Sequence, residues 1–268
     1  MKIITKLPII AVCIAALAAC NLNSGSNDGP TNLGDTLTVS GQQVWEPNDK
    51  TGYISKLFYK SNSDNAISAF AVIPKWADAN QDAYAVNGEG NVDFDTPFVD
   101  SVTGSISKGI LDLTIPAPDD SLLYLNGDDL LYYVFHDWWG DITQSKSSSI
   151  SIDPEDVRGN RFIPMAAIDD PPGFSGLVQM AFNGTQSSLT CSYIYYFYVD
   201  KDCTITAKRV VDQIGYNSFN AFTLNLKEGW NTVLAKQTYT DSGHSTLSLE
   251  VRNPQDMKWA LMPVTTSF

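Results

Sequence analysis

Histidine is nearly absent from this chain, with two among 268 residues, and glutamate supplies five of its thirty acids. Each scarcity excludes something. Catalysis built on a histidine base has little room: His136 and Asp137 are neighbours that a strand would point to opposite faces, and Gly243-His244-Ser245 reads as a hairpin tip. Zinc needs clustered His, Cys or carboxylate ligands, and none cluster along the sequence. Few glutamates mean few charged helices, while the abundant Asp sits beside Asn, Gly and Ser, the chemistry of turns. Basic side chains are also short, 17 against 30 acids for a net charge of −13, so nucleic acid and anionic lipid headgroups are poor partners. Beyond residue 20 no window supports a long amphipathic helix.

What is present begins at the first residue. Lys2 and Lys6 form a positive start, Leu7 to Leu17 an apolar run too short to span a bilayer as a mature helix, and Leu17-Ala18-Ala19-Cys20 closes with small residues before a cysteine. These twenty residues resemble the signal peptide and lipobox of bacterial lipoproteins. The resemblance implies that residues 1–19 are removed and that Cys20 becomes an acylated first residue, held firmly because several acyl chains bind far better than one. Asn21 follows the cysteine where enterobacterial lipoproteins kept in the inner membrane carry aspartate, so the expected location is the outer membrane or cell surface. Cleavage leaves 15 basic side chains against the 30 acids.

The remaining chain reads as all-β. Residues 20–34 are small, polar and turn-forming, a flexible tether with a root-mean-square span of roughly 20 Å and a limit near 48 Å. Short alternating runs then follow at Thr36–Val39, Gly52–Lys60, Ala66–Ile73, Pro97–Val102 and Ile110–Ile115, with Leu111, Leu113 and Ile115 alternating against Asp112 and Thr114. Leu130–His136 is a further apolar run. The polar stretch 144–149 marks a linker, with Pro116 as a rival boundary. Beyond it lie Arg161–Ile168, Phe174–Phe182, Leu189–Val199, Thr204–Val211, Phe219–Leu226, Asn231–Tyr239 and Ser245–Val251, a spacing near ten residues that suggests a sandwich. The expectation is two immunoglobulin-like β-sandwich domains, 35–143 and 150–268. Lys227-Glu228-Gly229 has the length of a hairpin loop, and Asp153-Pro154 the chemistry of a helix start lasting about one turn.

Candidate sites are few. Asp78, Asn80 and Asp82 alternate as hard oxygen donors, and Glu89 falls where an EF-hand loop keeps its bidentate carboxylate, so calcium is the metal to consider. Ala83 stands where that loop requires glycine, and a solvated Asp/Asn loop accounts for the same residues. Asp93, Asp95 and Asp100 offer a second acidic loop. Gly173-Phe174-Ser175-Gly176 and Asp120-Ser121-Leu122 are incomplete echoes of hydrolase motifs. In Tyr193–Tyr198 both faces of one strand are apolar or aromatic, and in Trp138-Trp139 two adjacent indoles cannot both point inward. Tyr196, Trp138 and Trp139 are therefore candidates for an exposed platform that stacks on sugars or a partner protein. Packing at a domain junction is the plainer reading. With Cys20 lipidated, Cys191 and Cys203 are the cysteines of the folded part, in a compartment where disulfides persist. A hairpin at Asp200–Asp202 would hold them roughly 26 Å apart, whereas strands in different sheets would leave pairing open.

Three functions follow from different classes: a non-enzymatic binding or adhesion module for a protein or carbohydrate, a structural envelope component or assembly partner, and a hydrolase built on paired carboxylates. No cofactor other than calcium is implied.

Overall fold

The computed structural model describes residues 28–47, 54–57, 65–71, 102–123, 150–169, 172–185, 188–211 and 217–263. These form the strands β1 (Asn32–Gly34), β2 (Leu37–Pro47), β3 (Ile54–Leu57), β4 (Asn65–Ala71), β5 (Thr103–Ser107), β6 (Ile110–Ile115), β7 (Ile150–Asp153), β8 (Gly159–Asp169) and β9 (Pro172–Thr185). They continue with β10 (Ser188–Val199), β11 (Cys203–Ala207), β12 (Val210–Val211), β13 (Asn217–Phe219), β14 (Phe222–Leu226), β15 (Gly229–Thr240), β16 (Ser245–Val251) and β17 (Lys258–Pro263). One short 3-10 turn spans Asp120–Leu122, and there is no α-helix among the described residues. The all-β expectation holds.

The β6 strand shows why. Its residues alternate, and Leu111, Leu113 and Ile115 are buried while Asp112 is exposed, the period-2 pattern that a sheet with one covered face requires. Lys108 and Gly109 both have positive φ and make the two-residue turn from β5, the handedness that suits a tight hairpin. The β2 strand runs further than its first apolar stretch suggests. A bulge between Val39 and Gln42 carries it past Gly41, and Asp112 holds that bulge by accepting from Ser40 Oγ at 2.6 Å and Gly41 N at 3.0 Å. Those two bonds keep the Asp112 carboxyl below the usual carboxylate range.

The expected division into two domains is not what the strands do. β4 pairs with β8, and β2 pairs in parallel with β17, so strands from before and after residues 144–149 share one 14-stranded sheet. The pairings β8–β4–β5–β6–β2–β17–β9 return to β8 and close a circuit. The main core mixes both parts: Leu37, Val44, Ile106, Leu111 and Leu113 pack with Phe162, Leu177, Tyr196, Trp230 and Trp259. Neither set of strands has a complete apolar face of its own to close, so the two bury each other.

A second core lies on the opposite face of β10, β15 and β16. Phe197, Val233 and Leu249 there meet Ile205, Leu224 and Leu226 of a separate sheet ordered β14-β11-β7. That pair of sheets is a β-sandwich. Two local expectations change as a result. Lys227-Glu228 is a corner between sheets, since β14 and β15 do not pair; the Asn231 side chain braces it, accepting from Lys227 N at 2.9 Å and donating to Lys227 O at 2.7 Å. Asp153–Asp156 is a turn between β7 and β8, closed by Val157 N donating to Pro154 O at 3.3 Å, because the chain enters β8 at Gly159 before a helix can propagate.

The tether is also shorter than expected. Residues 28–34 lie against the body: Arg252 Nε bonds both Asp28 carboxylate oxygens, Gly29 N donates to Asn253 O at 2.7 Å, and Asn32 Nδ2 donates to Glu228 O at 2.9 Å. β1 pairs with β15 across the edge that β16 leaves open. Gly229 has φ +96°, and a Cβ there would meet Gly34 O at 2.6 Å, so only glycine allows the segment to seat. Polarity alone misread these residues, because backbone and amide groups hold them rather than apolar side chains.

Candidate functional site

Tyr196 is not part of an exposed platform. It is buried, stacks on Trp259 with ring centroids 5.8 Å apart and planes 7° apart, and donates from its hydroxyl to Gln179 Oε1 at 3.0 Å. Burial raises its pKa. Both faces of the inner half of β10 are taken up inside the molecule: Ile194, Tyr196 and Tyr198 enter the main core, and Phe197 and Val199 the sandwich core. Tyr195 packs beside the latter, with the buried Arg161 guanidinium 4.9 Å from its ring centroid.

The cysteines are likewise structural. No disulfide joins Cys191 and Cys203. β10 and β11 do belong to different sheets, but Cys203 sits in the sandwich core, while Cys191 packs with Leu189 eight residues before the strand end. Of the two hydrolase echoes, Ser175 lies within β9 and Asp120 pairs with Arg158 at 3.2 Å. His244 is in the turn between β15 and β16, where its carbonyl accepts from Thr240 N at 3.0 Å. The calcium candidates Asp78, Asn80, Asp82 and Glu89, the residues Trp138 and Trp139, and Cys20 lie outside the described residues. Among the described residues no group of three or more His, Cys, Asp or Glu side chains is placed to hold a metal ion, and no helix is long and apolar enough to cross a membrane.

What the structure does bring together is a hydroxyl-lined sheet face. The face of β10 and β15 that carries Ile194, Tyr196, Trp230 and Leu234 is covered by the main core at one end. At the other end the same face bears Ser188, Thr190 and Ser192 on β10 and Lys236, Thr238 and Thr240 on β15. On β16 it bears Thr246, Ser248 and Glu250, and on β13 Ser218. On β10 and β15 these residues lie an even number of positions from Ile194 and Leu234, and on β16 and β13 cross-strand register puts them on the same face, opposite Leu247, Leu249 and Phe219 of the sandwich core. Thr190, Thr238, Thr246 and Ser218 are in register across four strands, with Thr190 and Thr238 hydroxyls 2.9 Å apart and Ser218 and Thr246 hydroxyls 3.2 Å apart. At ordinary strand spacing the row is about 14 Å long, and parallel rows stand about 7 Å away along the strands. The side chains are half-buried, with Thr240 exposed. Lys236 and Glu250 pair within it, so the face is close to neutral on an acidic protein.

The aromatic residues give no sign of this face, whose side chains are mostly small and hydroxylated. Its signal is the period-2 run of hydroxyls in Ser188-x-Thr190-x-Ser192, Thr238-x-Thr240 and Thr246-x-Ser248, interleaved with residues of the opposite face.

Fold and site together define an all-β protein with a β-sandwich and a polar sheet face. No family model, no curated protein and no solved structure was found to match the chain.

Proposed function

We propose that this is an exported, lipid-anchored, non-enzymatic binding protein of the outer membrane or cell surface. Its binding surface is the hydroxyl face of β10, β15, β16 and β13, and its ligand class is neutral, hydroxyl-rich carbohydrate. The observation that carries the reading is the in-register row Thr190–Thr238–Thr246–Ser218. A regular array of donors and acceptors, flat and near neutral, suits a chain of sugar hydroxyls; the acidity elsewhere would repel an anionic polymer. The lipobox-like Leu17–Cys20 supports the anchor. The structural-component reading draws on a different observation, the burial of Tyr196, Phe197 and Tyr198 with Tyr193 and Tyr195 half-buried, which leaves the tyrosine-rich strand as a core element.

The test is retention of the detergent-solubilised mature protein on a panel of immobilised neutral and anionic glycans, alongside the double variant T190V/T238V. Those substitutions keep side-chain shape and remove two hydroxyls. Binding to at least one neutral glycan is expected, weakened about tenfold or more in the variant, on the scale of two lost hydrogen bonds of about 0.5–1.5 kcal/mol each. Equal binding by variant and parent, or retention on none of the panel, would overturn the carbohydrate reading and favour the structural one. A carboxylate-based hydrolase would instead release soluble sugar during the incubation.

A further inference from the structure

We infer that the clamp on residues 28–34 orients the body on the membrane, holding the end at Arg252–Pro254 near the lipid and turning the hydroxyl face outward. The inference rests on acylation of Cys20. Its geometry comes from the clamp itself. Asp28 is held by Arg252, Gly29 by the Asn253 carbonyl, the Pro30 carbonyl by Asn253 Nδ2 at 2.7 Å, the Thr31 carbonyl by Thr232 N at 2.8 Å, and Asn32 by the Glu228 carbonyl. Contacts distributed over five consecutive residues fix both the position and the direction of the chain where it joins the body.

Two consequences follow. Only residues 21–27 separate Cys20 from Asp28, and that length of chain reaches at most about 28 Å, against the limit near 48 Å of a tether running to residue 34. The clamp also sits at one end of the long strands. It engages Trp230–Thr232 at the start of β15 and Arg252–Pro254 just after β16, whereas the turn Asp241–His244 is at the far end. From Asn231 to Thr238 along β15 is about 24 Å. The hydroxyl row Thr190–Thr238–Thr246–Ser218 lies in that distal half. A body with 30 acids against 15 bases after cleavage is repelled by anionic headgroups, which opposes its lying flat.

The experiment uses the full acylated protein in phosphatidylcholine vesicles containing some phosphatidylglycerol and a headgroup-linked energy-transfer acceptor. Donor dye is attached to D256C, beside the clamp, or to S242C, in the distal turn; both positions are exposed, and Cys191 and Cys203 are buried. Transfer at least threefold stronger from position 256 than from 242 is expected. Adding N32A and R252E to release the clamp should lower transfer from 256 by half or more while the protein still floats with the vesicles. Equal transfer from the two positions, with acyl mass present on Cys20, would overturn the orientation alone. Absence of acyl mass on Cys20 would overturn the anchor and the orientation with it. The contrast between the two labels on the otherwise native chain stands even where the release variant fails to fold.

Discussion

The Cys203 thiol is buried, and its burial together with nearby Asp200 and Asp202 pushes its pKa up to about 11 from a usual 9.0. A group whose folded pKa is raised favours the folded state while it stays protonated. That contribution is complete below about pH 9 and is lost as pH climbs toward about 11. Tyr196, also raised by burial, acts in the same direction at higher pH. Melting temperature should therefore fall steadily across this alkaline window, and Cys203→Ala, though less stable at neutral pH because it leaves a cavity, should fall less steeply. Parallel slopes for the two proteins would show that another group controls the alkaline loss. At this scale Cys203 and Tyr196 were visible in the sequence as residues worth naming, but their roles were not. A thiol or phenol becomes inert or reactive through what surrounds it, and those surroundings come from strands far apart in the chain: Tyr196 meets Gln179 and Trp259.

β10 joins two behaviours in one strand. Its inner half, Ile194 to Val199, packs into a core on each face with only Tyr195 half-buried, and its outer half alternates Leu189 and Cys191 inward with Ser188, Thr190 and Ser192 on the polar face. Substitutions along it should divide accordingly. Tyr196→Ala should cost about 3–5 kcal/mol in denaturant unfolding, the range for truncating a large buried aromatic, and leave Gln179 without its hydroxyl partner. Thr190→Val should cost less than about 1 kcal/mol and act on ligand retention instead. Similar unfolding costs at both positions would place the outer half inside a core too. β6 was legible to the residue, from Ile110 to Ile115, because one covered face imposes strict alternation. β5, β7 and β17 were not. β5 reads Thr-Gly-Ser-Ile-Ser with one buried apolar residue, Ile106, and β17 ends at Pro263 beyond the last expected strand. Such short strands take their stability from paired neighbours rather than from a pattern of their own.

For the molecule as a whole, the closed circuit of pairings and the mixed main core make the described strands one cooperative unit. Calorimetry of the mature protein should show a single transition with equal calorimetric and van't Hoff enthalpies. Two resolved transitions, or a folded fragment after cleavage within 144–149, would restore the two-domain division that the linker composition suggested. The polar composition of residues 144–149 suggested that division, but composition carries no information on which strands before and after it pair. The class of structure is legible in the chain: turn-rich acidity, scarce glutamate and period-2 runs favour strands over helices, because local alternation is a property of neighbouring residues. The chain also carries the hydroxyl pattern in the alternate positions of β10, β15 and β16. Which strands pair, the docking of residues 28–34, the place of Tyr196 in the core and the row Thr190–Thr238–Thr246–Ser218 emerge from long-range contacts alone. Register between strands distant in sequence is set by the joint closure of two apolar faces and by backbone groups that have no signature in side-chain composition.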